Sequence, residues 1–218
     1  MKTSTRLRRR FKKLWYGVRA ALLTVFGDIK VFKRPMFAVY DPGSYKVKGR
    51  DCRAILNGIE AGDVLLRGYD CYLDGYFIPV GESGCSHSGL FVGGNDVVHS
   101  IAEGVTEDDL LDFCRADRVV VLRALVSEED KAEAVRLALS RVGRPYDFDF
   151  TTADTEDSKP KNDRFYCHEF TRYCYPRVEI EKMTGRSRFL GIKGPEMYLA
   201  DSFYTSPAFV RVYEGGRT

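Results

Sequence analysis

Apolar residues follow a two-residue alternation or short buried runs through the middle and at the end of the chain. This pattern predicts strands at Asp63–Arg67, from His87 onward, at Val97–His99, at Arg118–Leu122 and at Phe209–Val212. The tetrapeptide Gly93-Gly94-Asn95-Asp96 stands between the second and third of these strands. Because such residues favour tight turns, the two strands are predicted to form one hairpin.

Helical spacing and capping residues predict four helices around these strands. They are expected at Cys52–Glu60 before Gly62, at Thr106–Phe113, from Ser127 to a stop at Gly143, and from about Cys167. Residues 41–44 read as a turn, and the acidic segment 147–163 reads as a loop. Strands that cluster in the middle of a chain, with helices on either side, indicate an α+β fold.

Composition indicates one principal domain. The 218 residues are 44% hydrophobic, which is enough for a single full core. We expect an arm at residues 1–40 and a domain at 41–218. Six cysteines occur without a Cys-x-x-Cys spacing in a chain that does not need disulfides for stability. Reduced thiols and a cytoplasmic location are therefore expected.

Positive charge is concentrated in the arm. Residues 1–36 hold eleven basic residues and one acid, Asp28, although the whole chain carries only +3. The apolar run Leu14–Phe26 is interrupted by Arg19 and is too short to span a bilayer. No cleavage site of the signal-peptide type follows it. A helical projection segregates apolar from basic residues, so residues 1–30 are predicted to bind an anionic membrane surface peripherally. Alternatively, the arm is solvated or packs on the domain.

Three residues supply the groups that a cysteine hydrolase needs. Such a site combines a thiol, a histidine that moves a proton, and a polar group that orients that histidine. His87 and His99 lie on successive strands of the predicted hairpin, close enough to touch. Cys167 begins a helix, where the helix dipole favours a thiolate and where its own N–H is a natural oxyanion donor. The alternative is two structural histidines and an inert buried cysteine.

The segments around these histidines resemble a known signature. His-Ser-Gly-Leu-Phe-Val-Gly, starting at His87, and the later Val-Val-His-Ser and Gly-Val are similar to motifs of the NlpC/P60 superfamily of papain-like cysteine peptidases. The cysteine segment follows the histidines here, which resembles the circularly permuted branch of YiiX/YaeF/YebB-like amidases. Three further segments agree with that branch: Gly62–Leu66, Gly143–Asp147 and Tyr166–Glu169. The resemblance covers roughly residues 60–213 and implies a permuted papain-like fold with a central antiparallel sheet or small barrel.

The resemblance also implies roles for the catalytic residues. Cys167 would be the nucleophile, His87 the base, and His99 the residue that orients it, with Glu103 as the alternative third residue. The reaction would be amide or acyl hydrolysis, or acyl transfer, through an acyl-enzyme. The expected substrates are a peptide, a muropeptide or a lipid acyl group.

Substrate-binding residues are expected beside the nucleophile. The resemblance places Tyr146 near Cys167, where it would bind substrate or the oxyanion. Glu169 would bind a substrate amine or cap a helix turn. His168 stands where the family commonly has a small residue, and it would line the site or face solvent.

Rival functions draw on the same residues. A zinc site made of His87, His99, His168 and a cysteine lacks closely spaced ligand pairs, and the acidic loop lacks the pattern of a calcium loop. No metal or cofactor is therefore expected. Nucleic-acid binding is not expected, because the arm contains no recognised DNA-reading motif. The remaining alternative is a non-catalytic module that binds a lipid or peptide in the same groove.

Overall fold

The computed structural model describes residue 18 and residues 29–33, 36–40, 45–69, 81–147, 163–186 and 193–216. The chain divides into two units, Met1–Ser44 and Tyr45–Thr218. In the first unit, strands β1 (Ile29–Lys33) and β2 (Met36–Tyr40) form an antiparallel pair. The predicted arm helix lies outside the described residues except for Val18, which is helical. The turn predicted at 41–44 and most of the loop predicted at 147–163 also lie outside them.

A six-stranded antiparallel sheet is the centre of the second unit. Its strands are β3 (Val64–Gly68), β4 (His87–Gly93), β5 (Asp96–Ile101), β6 (Gly104–Asp109), β7 (Arg118–Ala124) and β10 (Phe209–Gly215). They are arranged in the order β10-β7-β3-β4-β5-β6. A separate pair is formed by β8 (Met183–Arg186) and β9 (Lys193–Met197). The predicted α+β class and the central antiparallel sheet are confirmed.

Helices cover both faces of this sheet. They are α1 (Gly49–Gly58), α2 (Leu110–Phe113), α3 (Glu128–Leu139), α4 (Cys167–Cys174) and α5 (Ala200–Tyr204). On one face, Phe170 of α4 and Ala134 of α3 pack with Leu90 of the sheet. On the other face, Phe113 of α2 packs with Leu65. Burial on both faces explains why β3, β4 and β7 consist mainly of apolar and small residues.

Most sequence-predicted elements agree with the structure to within a few residues. The hairpin turn is confirmed, and its central residues Gly94 and Asn95 have φ values of +68° and +91°. Positive φ at both central positions is the type I′ geometry that suits a two-residue hairpin. The helix predicted from Cys167 begins at that residue. Ser127 caps the strongest predicted helix by accepting a hydrogen bond from the Asp130 N–H.

The predicted helix at Thr106–Phe113 is wrong over its first half. Residues 104–109 form β6, which pairs with β5 along its whole length and places Thr106 opposite His99. The helix begins only at Leu110, and its capping side chain is Asp109. The acidic run that resembled a helix start therefore belongs to an edge strand, where pairing with β5 and burial of Val105 outweigh local propensity.

The described residues contain neither a membrane-spanning helix nor a disulfide. Among them, no helix is both long enough and apolar enough to cross a membrane. Five of the six cysteines are described and all five are free thiols: Cys52, Cys85, Cys114, Cys167 and Cys174.

Candidate active site

The two histidines of the β4–β5 hairpin are in direct contact. Nε2 of His87 lies 2.8 Å from Nδ1 of His99, and the rings meet edge to face. The strand register sets this geometry, because Gly89 is opposite His99 and His87 is two residues away on the same face. A Cβ atom at position 89 would lie 3.0 Å from Cβ of His99 and 3.1 Å from the Phe113 ring. Glycine therefore leaves the space that His99 fills.

Asp108 fixes the proton positions of this pair. Nε2 of His99 lies 2.9 Å from Oδ2 of Asp108, and a carboxylate only accepts hydrogen bonds, so this nitrogen carries the proton. A neutral His99 then has a lone pair on Nδ1, which accepts from the Nε2–H of His87. It follows that Nδ1 of His87 has a lone pair and is the basic atom of the chain His87–His99–Asp108.

Burial keeps both imidazoles neutral at physiological pH. The pKa of His87 lies well below its usual value, because burial disfavours the cation and the charge of Arg67 adds to that effect. The pKa of His99 falls to about 4 for the same two reasons, although Asp108 opposes the decrease. The Phe113 ring contacts both imidazoles, with centroids 5.8 Å from His87 and 5.4 Å from His99. The assigned tautomers therefore describe the site at neutral pH.

Cys167 occupies the first turn of α4, which packs on β4 and β5. The residue is 7% exposed, and its thiol receives backbone hydrogen bonds from Ser88, the residue after His87, and from His168. Although both residues lie in the described part of the chain, no hydrogen bond joins the Cys167 thiol directly to the His87 ring. Catalytic hydrogen bonds are often long in a ligand-free site and shorten when substrate binds.

The thiol is not a preformed thiolate. Burial raises the pKa of Cys167 to about 11, although the backbone N–H groups at the helix start and the Arg67 charge oppose this increase. The start of the helix favours a thiolate, as expected, but desolvation has the larger effect on the pKa of Cys167. At neutral pH the site holds a neutral thiol beside a neutral imidazole.

A buried polar cluster fixes α4 against β4. The hydroxyl of Ser88 donates to the Cys167 carbonyl oxygen at 3.2 Å and lies 2.9 Å from Nδ1 of His168. It also lies 2.8 Å from the hydroxyl of Thr171, which donates to the same carbonyl. His168 is 3% exposed, and burial lowers its pKa to about 3. His168 therefore does not face solvent, and as a neutral ring it joins the nucleophile helix to the histidine strand.

Tyr146 lies against the nucleophile. An isolated parallel β-bridge between Tyr146 and Phe165 brings the segment Gly143–Asp147 beside the start of α4. The Tyr146 hydroxyl has hydrogen bonds to the backbone and the side chain of Cys167. Burial and the neighbouring Cys167 raise its pKa, so the hydroxyl keeps its proton and remains a donor. This places a neutral donor beside the sulfur.

The other two predicted residues occupy different surroundings. Glu169 is 7% exposed and lies close enough to Tyr166 to raise the pKa of that phenol. Glu103 lies in the turn between β5 and β6, and its side chain is exposed. Of the two candidates for the third residue, His99 is the one hydrogen-bonded to His87.

Asp108 is the site residue that the sequence analysis missed. The misassigned helix at Thr106–Phe113 hid it, because a helix start gives an acidic residue a capping role. If residues 104–109 are interpreted as a strand, Thr106 and Asp108 lie on the face that carries His99. The signal was the Gly-Val pair at Gly104, which begins β6.

The predicted site residues do not form a group of metal ligands. Over the described residues, no three His, Cys, Asp or Glu side chains are grouped so that they could hold a metal ion.

The sequence of the second unit matches a known family. A family model described as permuted papain-like amidase enzyme, YaeF/YiiX, C92 family, matches residues 58–213 of this chain. The crystal structure of the metalloprotein YiiX from Escherichia coli O157:H7 is similar, with a TM-score of 0.56 and 16% sequence identity over 73% of this chain and 99% of that one. At that identity the likeness concerns the fold alone. No curated protein matches this chain.

Proposed function

The chain belongs to the C92 family of permuted papain-like amidases, and from that premise we propose that it is a thiol hydrolase whose nucleophile is Cys167 and whose base is His87. The observation that carries this proposal is the hydrogen-bonded chain from His87 through His99 to Asp108. These hydrogen bonds leave a lone pair on Nδ1 of His87, and a base needs such a lone pair to accept the thiol proton.

The reaction would begin from neutral groups. Because the pKa of Cys167 is raised and that of His87 is lowered, the thiol proton moves to Nδ1 of His87 as sulfur bonds to the carbonyl carbon. The carbonyl oxygen then becomes an oxyanion, for which the N–H of Cys167 and the Tyr146 hydroxyl are the available donors. His87 returns the proton to the leaving amine, and a thioester acyl-enzyme remains.

Hydrolysis of the acyl-enzyme uses the same base. Water attacks the thioester carbonyl carbon, His87 accepts its proton, and the Cys167 sulfur leaves and recovers that proton. The product is a carboxylic acid, and another acceptor in place of water would give acyl transfer. His99 acts as the orienting residue, and Asp108 stabilises the imidazolium that forms on the histidine pair.

An amide bond is the proposed target, in keeping with the family. A peptide or muropeptide supplies such a bond, whereas a lipid acyl group would supply an ester or thioester. Paired rate measurements with an acyl amide and its ester of the same structure separate these substrates, because a true amidase loses little rate when the leaving group is an amine.

One observation favours the rival function. A thiol with a pKa near 11 is unreactive at neutral pH unless a base assists it. Without that assistance, the groove would only bind a lipid or peptide. Incubation with p-nitrophenyl acetate followed by intact-mass measurement distinguishes the two functions. The hydrolase gives an acetylated Cys167 that is absent from Cys167→Ala, and the binding module gives no acetylation at this position.

A further inference from the structure

Arg67 lies beside the histidine pair. It is on β3, directly opposite His87 on β4. Its guanidinium carbon is 4.5 Å from the centroid of the Phe113 ring, the ring that contacts both His87 and His99. Since residues paired across neighbouring strands project to the same face, the guanidinium and the imidazoles share one surface.

Arg67 has few polar contacts for a half-buried arginine. Among the described residues, its only hydrogen bond is a long one of 3.4 Å from Nη1 to the Phe113 carbonyl, and its buried Nε has no partner. Arg118 and Arg123, on the adjacent strand β7, are also half-buried, and each pairs with a carboxylate. Arg67 has no such ion pair in the described part of the chain.

The position of this cation works against the proposed base. The charge of Arg67 is the second largest cause, after burial, of the lowered pKa of both His87 and His99. An uncompensated guanidinium in a half-buried site is costly, and stacking on Phe113 offsets only part of that cost. Among the described residues no carboxylate offsets the rest; a bound anion would do so and would remove the opposition to a proton on His87.

We propose that Arg67 is a substrate-binding residue that holds an anionic oxygen group, a carboxylate or a phosphate, next to the bond that Cys167 attacks. This assignment rests on the proposed function. The planar guanidinium matches the two oxygens of either group, and most of its N–H donors have no partner among the described residues. The substrate is therefore an acyl compound with a negative charge near the scissile carbonyl.

Charged and neutral alkylating reagents test this proposal at Cys167. Iodoacetate and iodoacetamide differ mainly in the carboxylate, so the ratio of their rates at Cys167, read by peptide mass spectrometry, reports on a nearby anion-binding group. We expect this ratio to fall by about tenfold in Arg67→Gln, the loss that accompanies one charge-assisted hydrogen bond. Arg67→Lys should retain part of the preference for iodoacetate, because lysine keeps the positive charge but lacks the two parallel N–H donors of the guanidinium.

A surface arginine provides the matched control. Arg136 is 66% exposed on α3, and Arg136→Gln removes the same charge from a solvated position. The reagent ratio should be unchanged in this variant. An equal ratio in wild type and Arg67→Gln would overturn the proposal while leaving the thiol chemistry of Cys167 intact.

A second measurement does not depend on the thiol. Acetate and inorganic phosphate, at ionic strength matched with chloride, are added to Cys167→Ala and to Cys167→Ala/Arg67→Gln. A ligand that binds only the folded protein raises the Tm, so the first protein should be stabilised and the second should not. The anion with the larger effect identifies the group. If Cys167 reacts with neither reagent, the proposed function fails, and the Tm measurement still decides the role of Arg67. The proposal for Arg67 is overturned if neither anion raises the Tm of Cys167→Ala.

Discussion

The carboxylate of Asp108 accepts a hydrogen bond from Nε2 of His99 at 2.9 Å. This contact determines which nitrogen of His99 carries the proton, and through the 2.8 Å contact between the rings it also determines the proton position on His87. Asp108, two hydrogen bonds away from His87, therefore determines which nitrogen of His87 keeps a lone pair. The arrangement combines orientation of the base with a negative charge that favours its protonated form.

Asp108→Asn should slow acylation of Cys167 by about tenfold while the protein stays folded. The amide oxygen still accepts from His99, but the charge that favours an imidazolium is lost, and hydrogen bonds to charged groups contribute roughly 1.5–3 kcal/mol. Glu107→Gln is the control, because Glu107 is the exposed neighbour on the same strand and points to the opposite face. The acylation rate with an activated ester is the measurement. Equal rates in both variants would remove Asp108 from the site.

Gly89→Ala should disrupt the histidine pair. The added methyl group would lie 2.9 Å from Cγ1 of Val97 and 3.0 Å from Cβ of His99, so one of these side chains must move. Overpacking of this kind costs about 1–3 kcal/mol of the free energy of unfolding, and displacement of His99 should lower the acylation rate as well.

The control for this change is Gly49→Ala. A Cβ atom at position 49 lies at an ordinary 3.8 Å from the nearest side-chain atom, and it should leave stability and rate unchanged. Urea unfolding and ester acylation are measured for both variants. A Gly89→Ala protein with wild-type rate would show that the close fit around His99 has no catalytic consequence.

His168→Gln should reduce the acid sensitivity of the fold. Burial lowers the pKa of His168 to about 3, whereas the unfolded chain has an ordinary value near 6.5. Between those values the unfolded state binds more protons, so stability is complete above about pH 6.5 and decreases as the pH falls. At pH 5 this single histidine should cost about 2 kcal/mol.

Urea unfolding at pH 7.5 and at pH 5.0 measures this effect. The loss of stability between the two pH values should be smaller in His168→Gln than in wild type by that amount. The comparison cancels any loss common to both pH values, such as a weaker contact with Ser88. An identical loss in the two proteins would mean that His168 is not held neutral by burial.

The histidine contact was predicted from the sequence, whereas Asp108 and Arg67 were not. His87 and His99 belong to one hairpin, whose tight turn fixes their register locally. Asp108 also belongs to a tight hairpin, β5–β6, but its acidic run resembled a helix start. Arg67 is placed by pairing of β3 with β4, which are separated by residues 69–86. Contacts that depend on non-local strand pairing are not recorded in local propensity.

The thiol of Cys167 shows a second limit of sequence analysis. Its position at the start of α4 was predicted, and that position favours a thiolate. Its burial depends on the packing of α4 on β4 and on the Tyr146 segment, which no local pattern reveals. Desolvation therefore reverses the expected direction of the pKa shift.

Deleting residues 1–28 should weaken binding to anionic vesicles. Residues 1–28 hold eight basic residues and one acid, whereas the whole chain has a net charge of only +3. Each Lys or Arg near an anionic surface contributes about 1 kcal/mol. Binding of the full chain should also decrease as salt shortens the Debye length. Co-sedimentation with vesicles of anionic and of neutral lipid measures both effects, with Cys167 acylation as the control for folding. Equal binding of the two proteins at low salt would contradict a membrane role for the arm.

The proposed role of His87 is to remove the thiol proton of Cys167 during attack on the carbonyl carbon. The most direct measurement is the rate constant for acetylation of Cys167 by p-nitrophenyl acetate at pH 7, in acid-quenched samples analysed by peptide mass spectrometry. Cys52, the partly exposed thiol of α1, serves as an internal reference. His87→Ala should lower the rate at Cys167 by about a hundredfold or more and leave the rate at Cys52 unchanged. Equal rates at Cys167 in wild type and His87→Ala would contradict this role.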